Sequence, residues 1–223
     1  MKIDVFTHFA PAGFAEYLER FALGRAAVPR WRRIPTLVDL DARRRLLDPL
    51  DDYVQVLSLP NPAIEAFGPP SDAREIARVA NDSLAELCAR HRDRFPAFVA
   101  NLPMNDPAAA VEEAERAVRD LGAAGCLVYT NVLGAPLSDP VYAPIFAKAA
   151  ELDCPLWLHP IRGPETPDYK TEDASRHEIW FMFGWPYETA AAMARLVFSG
   201  LFDRLPNVKI ITHHLGGLVP YLE

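Results

Sequence analysis

Six short apolar segments, each followed by a stretch of helical spacing, set the limits on what this chain can fold into. The segments are residues 3–7, 53–59, 97–102, 126–129, 155–158 and 208–212. Most are apolar at successive positions rather than alternate ones, so both of their faces need cover. Residues 13–23 carry Phe14, Tyr17, Leu18 and Phe21 at helical spacing. Residues 71–93 carry Ile76, Val79, Ala80, Leu84, Leu87 and Cys88 as one stripe, with Ser71 or Asp72 as the expected cap. Asp106-Pro107 and Asp139-Pro140 each place a capping acid before a proline at the first helical position. Residues 186–202 present Thr189, Met193, Leu196, Val197 and Gly200 on one face. Residues 24–35 read as a polar, basic loop and 41–47 as a short charged helix. Residues 161–179 are too long for an ordinary connection, which marks them as functional or mobile.

Strand and helix in alternation demand an α/β fold with a parallel sheet covered by helices. A doubly wound open sheet and a closed barrel both satisfy it. A (β/α)8 TIM barrel takes about 250 residues for eight units. Here six units use 223 residues. The expectation is a single domain over residues 1–223, an incomplete barrel lacking its last βα units. A C-terminally truncated fragment, or a partner copy covering the opening, follows from that count.

A net charge of -7 argues against a nucleic-acid partner. Arg30, Arg32, Arg33 and Arg43 to Arg45 stand among acids and read as solvated faces. Cys88, Cys126 and Cys154 lie in apolar contexts without metal-like spacing, so buried reduced thiols in a cytoplasmic protein are expected. No signal peptide is visible, and no apolar run approaches the roughly 20 residues that cross a bilayer.

The chemistry collects at histidines. Of six, His8, His159, His213 and His214 fall at the C-terminal ends of expected strands. In a parallel barrel those ends share one face, where active sites are built. Imidazole suits a borderline divalent metal such as zinc. The alternative for each is a hydrogen-bonded loop histidine. Strand alternation would turn one of His213 and His214 inward, and His214 is favoured as the functional one. His91 ends a helix and reads as a C-terminal charge partner, and His177 as a solvated loop residue.

These residues resemble a family. Residues 2–8, 155–160 and 210–217 are similar to the first, fifth and sixth strands of the amidohydrolase-related decarboxylases, among them the aminocarboxymuconate-semialdehyde and resorcylate decarboxylases. Residues 184–189 and 129–134 fit as well. The resemblance implies a distorted (β/α)8 barrel with one divalent metal, Zn2+ being the expected ion. It implies His8 and His159 as metal ligands and His214 as the catalytic histidine. Arg162, Asn131, Trp180, Phe181 and Trp185 would bind a small carboxylated substrate, the arginine pairing with its carboxylate. Phe6 stands where the family carries a first ligand, and the family's aspartate after strand eight has no counterpart in these residues.

The implied activity is a metal-dependent carboxy-lyase acting on a small carboxylated aromatic or unsaturated semialdehyde, in a possible homodimer. A hydrolase of a lactone, ester or amide would use the same residues. A metal-free barrel with a binding or assembly role is the third reading. A dinucleotide enzyme is disfavoured, since no Gly-x-Gly-x-x-Gly follows the first strand.

Overall fold

The computed structural model describes residues 1–222 and divides the chain into two compact units, Met1–Leu127 and Val128 onward.

The first unit carries β1 (Lys2–His8), α1 (Ala12–Leu18), α2 (Ala22–Arg32), α3 (Leu40–Leu47), β2 (Tyr53–Ser58), α4 (Pro70–Arg90), β3 (Ala97–Asn101), α5 (Pro107–Arg119) and the start of β4 (Gly125–Tyr129). Its strands run parallel in chain order, Lys2 beside Tyr53, Val56 beside Ala97 and Asn101 beside Leu127. The register of β1 against β2 slips between Asp4 and Thr7. Such a bulge re-aims the side chains beyond it, here Thr7 and His8. The core is built from Leu57, Ile76, Leu84, Phe95, Phe98 and Val99. Each side chain of that size contributes roughly 1.5–3 kcal/mol on burial.

Residues 24–35, expected as a loop from their polarity, form most of α2. Ala27, Val28 and Trp31 on one side of it are buried, and that burial outweighs the arginines between them and Pro29 inside the helix. The single helix expected over 13–23 is broken at residues 19–21. Gly24 packs against the Leu18 carbonyl so closely that a Cβ would collide with it, which lets α2 double back on α1. Arg43 is a second correction. It is 6% exposed, not a solvated residue, because three carbonyl and amide oxygens reach its guanidinium. The cap expected from Ser71 or Asp72 is also absent: α4 starts at Pro70 with no side-chain cap. Asp106 does cap α5, accepting from the Ala109 amide.

Buried polar groups tie the helices to the strands. Asn81 of α4 accepts from the Asn101 amide and donates to the Asn101 carbonyl and to Glu113 of α5. Arg116 closes the network by pairing with Glu113 and Asp82.

The second unit takes the end of β4, then β5 (Asn131–Val132) and β6 (Ala135–Pro136), α6 (Ala143–Glu151), β7 (Leu156–His159), α7 (Ile179–Met182), α8 (Gly184–Phe198), α9 (Leu201–Arg204) and β8 (Ile210–Thr212). Strands β7 and β8 run parallel, Leu156 beside Ile210 and Leu158 beside Thr212. The antiparallel β5–β6 hairpin turns on Leu133 and Gly134, both with positive φ, as a two-residue hairpin requires. Ile145, Phe146, Leu156, Leu158 and Leu196 form the core.

The segment from Ile161 to Glu178 has no regular structure but is internally bonded. Asp168 accepts from the Ser175 hydroxyl and the Arg176 amide, and the Ser175 oxygen accepts from the Trp180 amide. Cys88, Cys126 and Cys154 are buried and unbridged, and burial pushes the Cys88 thiol up to about 12. Among the described residues, no helix is long and apolar enough to cross a membrane.

Candidate metal centre

The C-terminal end of β7 delivers His159 into a nest of rings within the second unit. His159 is 1% exposed. Its ring lies 4.6 Å from that of His213, 5.3 Å from His214, 5.3 Å from Trp185 and 5.4 Å from Tyr129. Its carbonyl accepts from the Thr130 amide at the end of β4, which fixes the strand end carrying it. His159 Nδ1 stands 2.6 Å from the Pro160 carbonyl. A carbonyl only accepts, so Nδ1 carries the proton and the ring lone pair resides on Nε2. In the neutral ring, Nε2 is then the nitrogen able to ligate a metal.

His213 is 1% exposed, whereas His214 lies more open to solvent with its ring stacked on Trp185 at 5.3 Å and 24°. Desolvation holds the His214 imidazole below its usual value. The expectation that alternation would separate the two histidines does not hold, since both rings face His159. β8 ends at Thr212, and His214 and Leu215 adopt left-handed backbone, which swings the second ring back toward the first. His213 and His159 each offer a ring nitrogen, within 4.8 Å of one another. Two imidazoles that close suit the first coordination sphere of one divalent ion.

Trp185 donates from Nε1 to the Arg162 carbonyl at 3.1 Å and packs edge-on against Phe181 at 4.6 Å and Trp180 at 6.0 Å. These three rings thus belong to one aromatic cluster, built by α7 and the start of α8. Among the described residues, the Arg162 guanidinium makes long contacts, 3.3 Å to Glu188 and 3.4 Å to the Pro167 carbonyl. Its Nε is buried and has no hydrogen-bond partner among the described residues. Asn131 is engaged at both ends of its amide. It donates to the Ile161 carbonyl and accepts from the Gly134 amide, so it holds the hairpin to the chain after β7.

In the first unit, His8 closes β1 and pairs in register with Ser58. Its Nδ1 lies 2.9 Å from the Ser58 hydroxyl oxygen. The Arg43 guanidinium donates to its carbonyl. His91 caps α4 and meets Arg44 at 3.2 Å, and His177 is exposed.

Sequence reasoning weighed His213 and set it aside in favour of His214, and it gave no site role to Tyr129 or Ser58. The signal for Ser58 is a polar residue ending the apolar run of β2. Tyr129 opens the 129–134 segment that fits the family, but nothing in that segment gives its ring a role beside His159.

Residues 3–221 match the family model described as Amidohydrolase. The chain is 40% identical over 200 residues to the gamma-resorcylate decarboxylase of Rhizobium radiobacter, covering 86% of this chain and 61% of that protein. It is 28% identical over 242 residues to the 2-amino-3-carboxymuconate-6-semialdehyde decarboxylase of Dictyostelium discoideum, covering 99% of this chain and 64% of that protein. The crystal structure of a dihydroxybenzoic acid decarboxylase from Polaromonas sp. JS666, with bound manganese and the inhibitor 2-nitroresorcinol, matches with a TM-score of 0.80 and 35% identity. That match covers 99% of this chain and 67% of the other. The chain spans about three fifths of the length of the curated relatives it matches. The α/β fold class, of the (β/α)8 barrel type, stands on these matches.

Proposed function

This chain belongs to the amidohydrolase family, and from that premise we propose that it serves a metal-dependent decarboxylase of a small carboxylated aromatic acid. The observation that carries the reading is the ring nest around His159. Its tautomer is set by the Pro160 carbonyl, and it faces a second buried imidazole. The decarboxylases to which the chain is similar act on ring or semialdehyde acids, which sets the substrate class.

His159 and His8, each closing a parallel strand, are the proposed ligands of a divalent cation, joined by His213. The cation supplies Lewis-acid polarisation of substrate oxygens when bound. Imidazole donors favour zinc, and a related structure holds manganese, so both ions belong in the test. Arg162 presents a buried Nε with no partner among the described residues, which suits a carboxylate acceptor better than the distant Glu188 does. Trp185, stacked on His214, offers a flat wall against an aromatic ring. Trp180 and Phe181 extend that wall and exclude water. The carbon–carbon bond to the carboxylate breaks, carbon dioxide leaves, and the ring carbon takes a proton. His214 is the proposed group that handles that proton.

The reduced cysteines suit a cytoplasmic setting, and the exposed Met182, Phe183 and Tyr187 suit a homodimer. The test is carbon dioxide release from dihydroxybenzoic acids by the purified chain loaded with manganese or zinc. Turnover that falls at least a hundredfold in His159→Ala and His214→Ala is expected. Failure of the chain to bind either ion would overturn the reading.

A further inference from the structure

The two ring nitrogens of His8 are told apart by a hydrogen-bond chain between β1 and β2. Ser58 closes β2, is fully buried and stands beside His8 in the strand register. Its hydroxyl donates to the Thr7 carbonyl at 2.9 Å. A hydroxyl has one proton to give, so toward any other neighbour this oxygen accepts. His8 Nδ1, 2.9 Å away, therefore carries a proton, and in the neutral imidazole the lone pair resides on Nε2.

From this geometry we infer that Ser58 is a positioning residue, which selects the Nδ1–H tautomer of His8 and so presents Nε2 as the donor atom to a divalent cation. The inference rests on the reading of His8 as a cation ligand. The backbone on either side is held as firmly as the ring. Arg43 donates to the His8 carbonyl, the Phe9 amide donates to the Ser58 carbonyl at 2.8 Å, and the Ala10 amide donates to the Leu37 carbonyl at 2.8 Å. A ring anchored at Nδ1 on a fixed backbone has one direction in which to offer Nε2. The second unit reaches the same tautomer by different means, the Pro160 carbonyl doing for His159 what the Ser58 hydroxyl does for His8. Outer partners of this kind raise ligand basicity and fix ring orientation.

The experiment is nitrogen-15 NMR of the imidazoles in the metal-free full chain, above the imidazole titration range, with the His8 signals identified by their loss in His8→Gln. It is paired with calorimetric titration of manganese chloride and zinc chloride into wild type, Ser58→Ala and Ser58→Thr. Wild type is expected to show His8 protonated on Nδ1. Ser58→Ala is expected to give a mixture of tautomers and to weaken cation binding by about 10- to 100-fold. Ser58→Thr, which keeps the hydroxyl, is expected to restore both. A wild-type His8 protonated on Nε2 overturns the inference, and so does a Ser58→Ala tautomer identical to wild type. Should Ser58→Thr fail to fold in the tight site, those two spectra still decide. Tautomer selection with no cation bound by wild type would uphold the role of Ser58 on the ring and overturn the metal reading instead.

Discussion

Arg43 of α3 donates to the carbonyl of His8, so a buried cation holds the last residue of β1 in place. The same guanidinium reaches the Thr36 carbonyl at 2.8 Å and Gln55 Oε1 at 3.0 Å, and it lies 5.7 Å from the centroid of the Phe9 ring. Desolvation lowers its pKa, and Asp4 opposes that shift. Arg43→Met removes the donors and strands buried acceptors. A loss of about 3 kcal/mol in unfolding free energy is expected, read by urea denaturation. A loss below about 1 kcal/mol would show that water replaces the guanidinium without penalty.

Glu65 gives stability a pH dependence of unusual sign. The side chain is 3% exposed, and burial raises its pKa to about 7 from 4.5. The folded state therefore holds a proton that the unfolded state releases. Unfolding free energy falls as pH climbs from 4.5 to 7, and the full penalty stands above 7. The shift corresponds to about 3 kcal/mol. Glu65→Gln is expected to be more stable than wild type at pH 8, with the difference vanishing below pH 4.5. Parallel stability curves for the two proteins from pH 4 to pH 8 would remove Glu65 as the cause.

His213 and His214 are expected to separate by function. His213 is buried against His159, whereas His214 is exposed to solvent with one face of its ring stacked on Trp185. His213→Ala should weaken divalent-cation binding by about tenfold or more. His214→Ala should leave affinity within threefold while lowering turnover on a ring acid about a hundredfold. Calorimetry and steady-state kinetics on the same preparations check the split, and the reverse pattern would exchange the two roles.

Asn131 is expected to act through the chain it ties down. Asn131→Ala breaks the bond to the Ile161 carbonyl and opens the turn at Gly134. A cost of about 1–2 kcal/mol in stability is expected. Arg162 is displaced only indirectly, so KM for a ring acid should rise more than kcat falls. A variant of wild-type stability with an unchanged KM would leave Asn131 without a role in the site.

Much of the fold was legible because it depends on local pattern. Apolar runs that need cover on both faces, and helices capped at Asp106 and Asp139, are written in neighbouring residues. Two of the exceptions share a cause. Polar α2 and the buried Arg43 both depend on distant partners, Trp31 on the Asn61 carbonyl and Arg43 on the His8 carbonyl. No window of a few residues contains those partners.

The site divides along the same line. By itself the sequence determined that His8 and His159 close parallel strands, since strand ends follow from the apolar runs before them. Only the tertiary structure decided which nitrogen each ring offers, because a tautomer is set by what lies beyond Nδ1. For His159 that partner is the next residue in the chain, and for His8 it is 50 positions away. Only the structure, too, turned both His213 and His214 toward His159. A left-handed turn at His214 and Leu215 after β8 defeats the alternation on which the sequence reading relied, and left-handed backbone at two successive non-glycine residues is uncommon enough that a local pattern does not announce it.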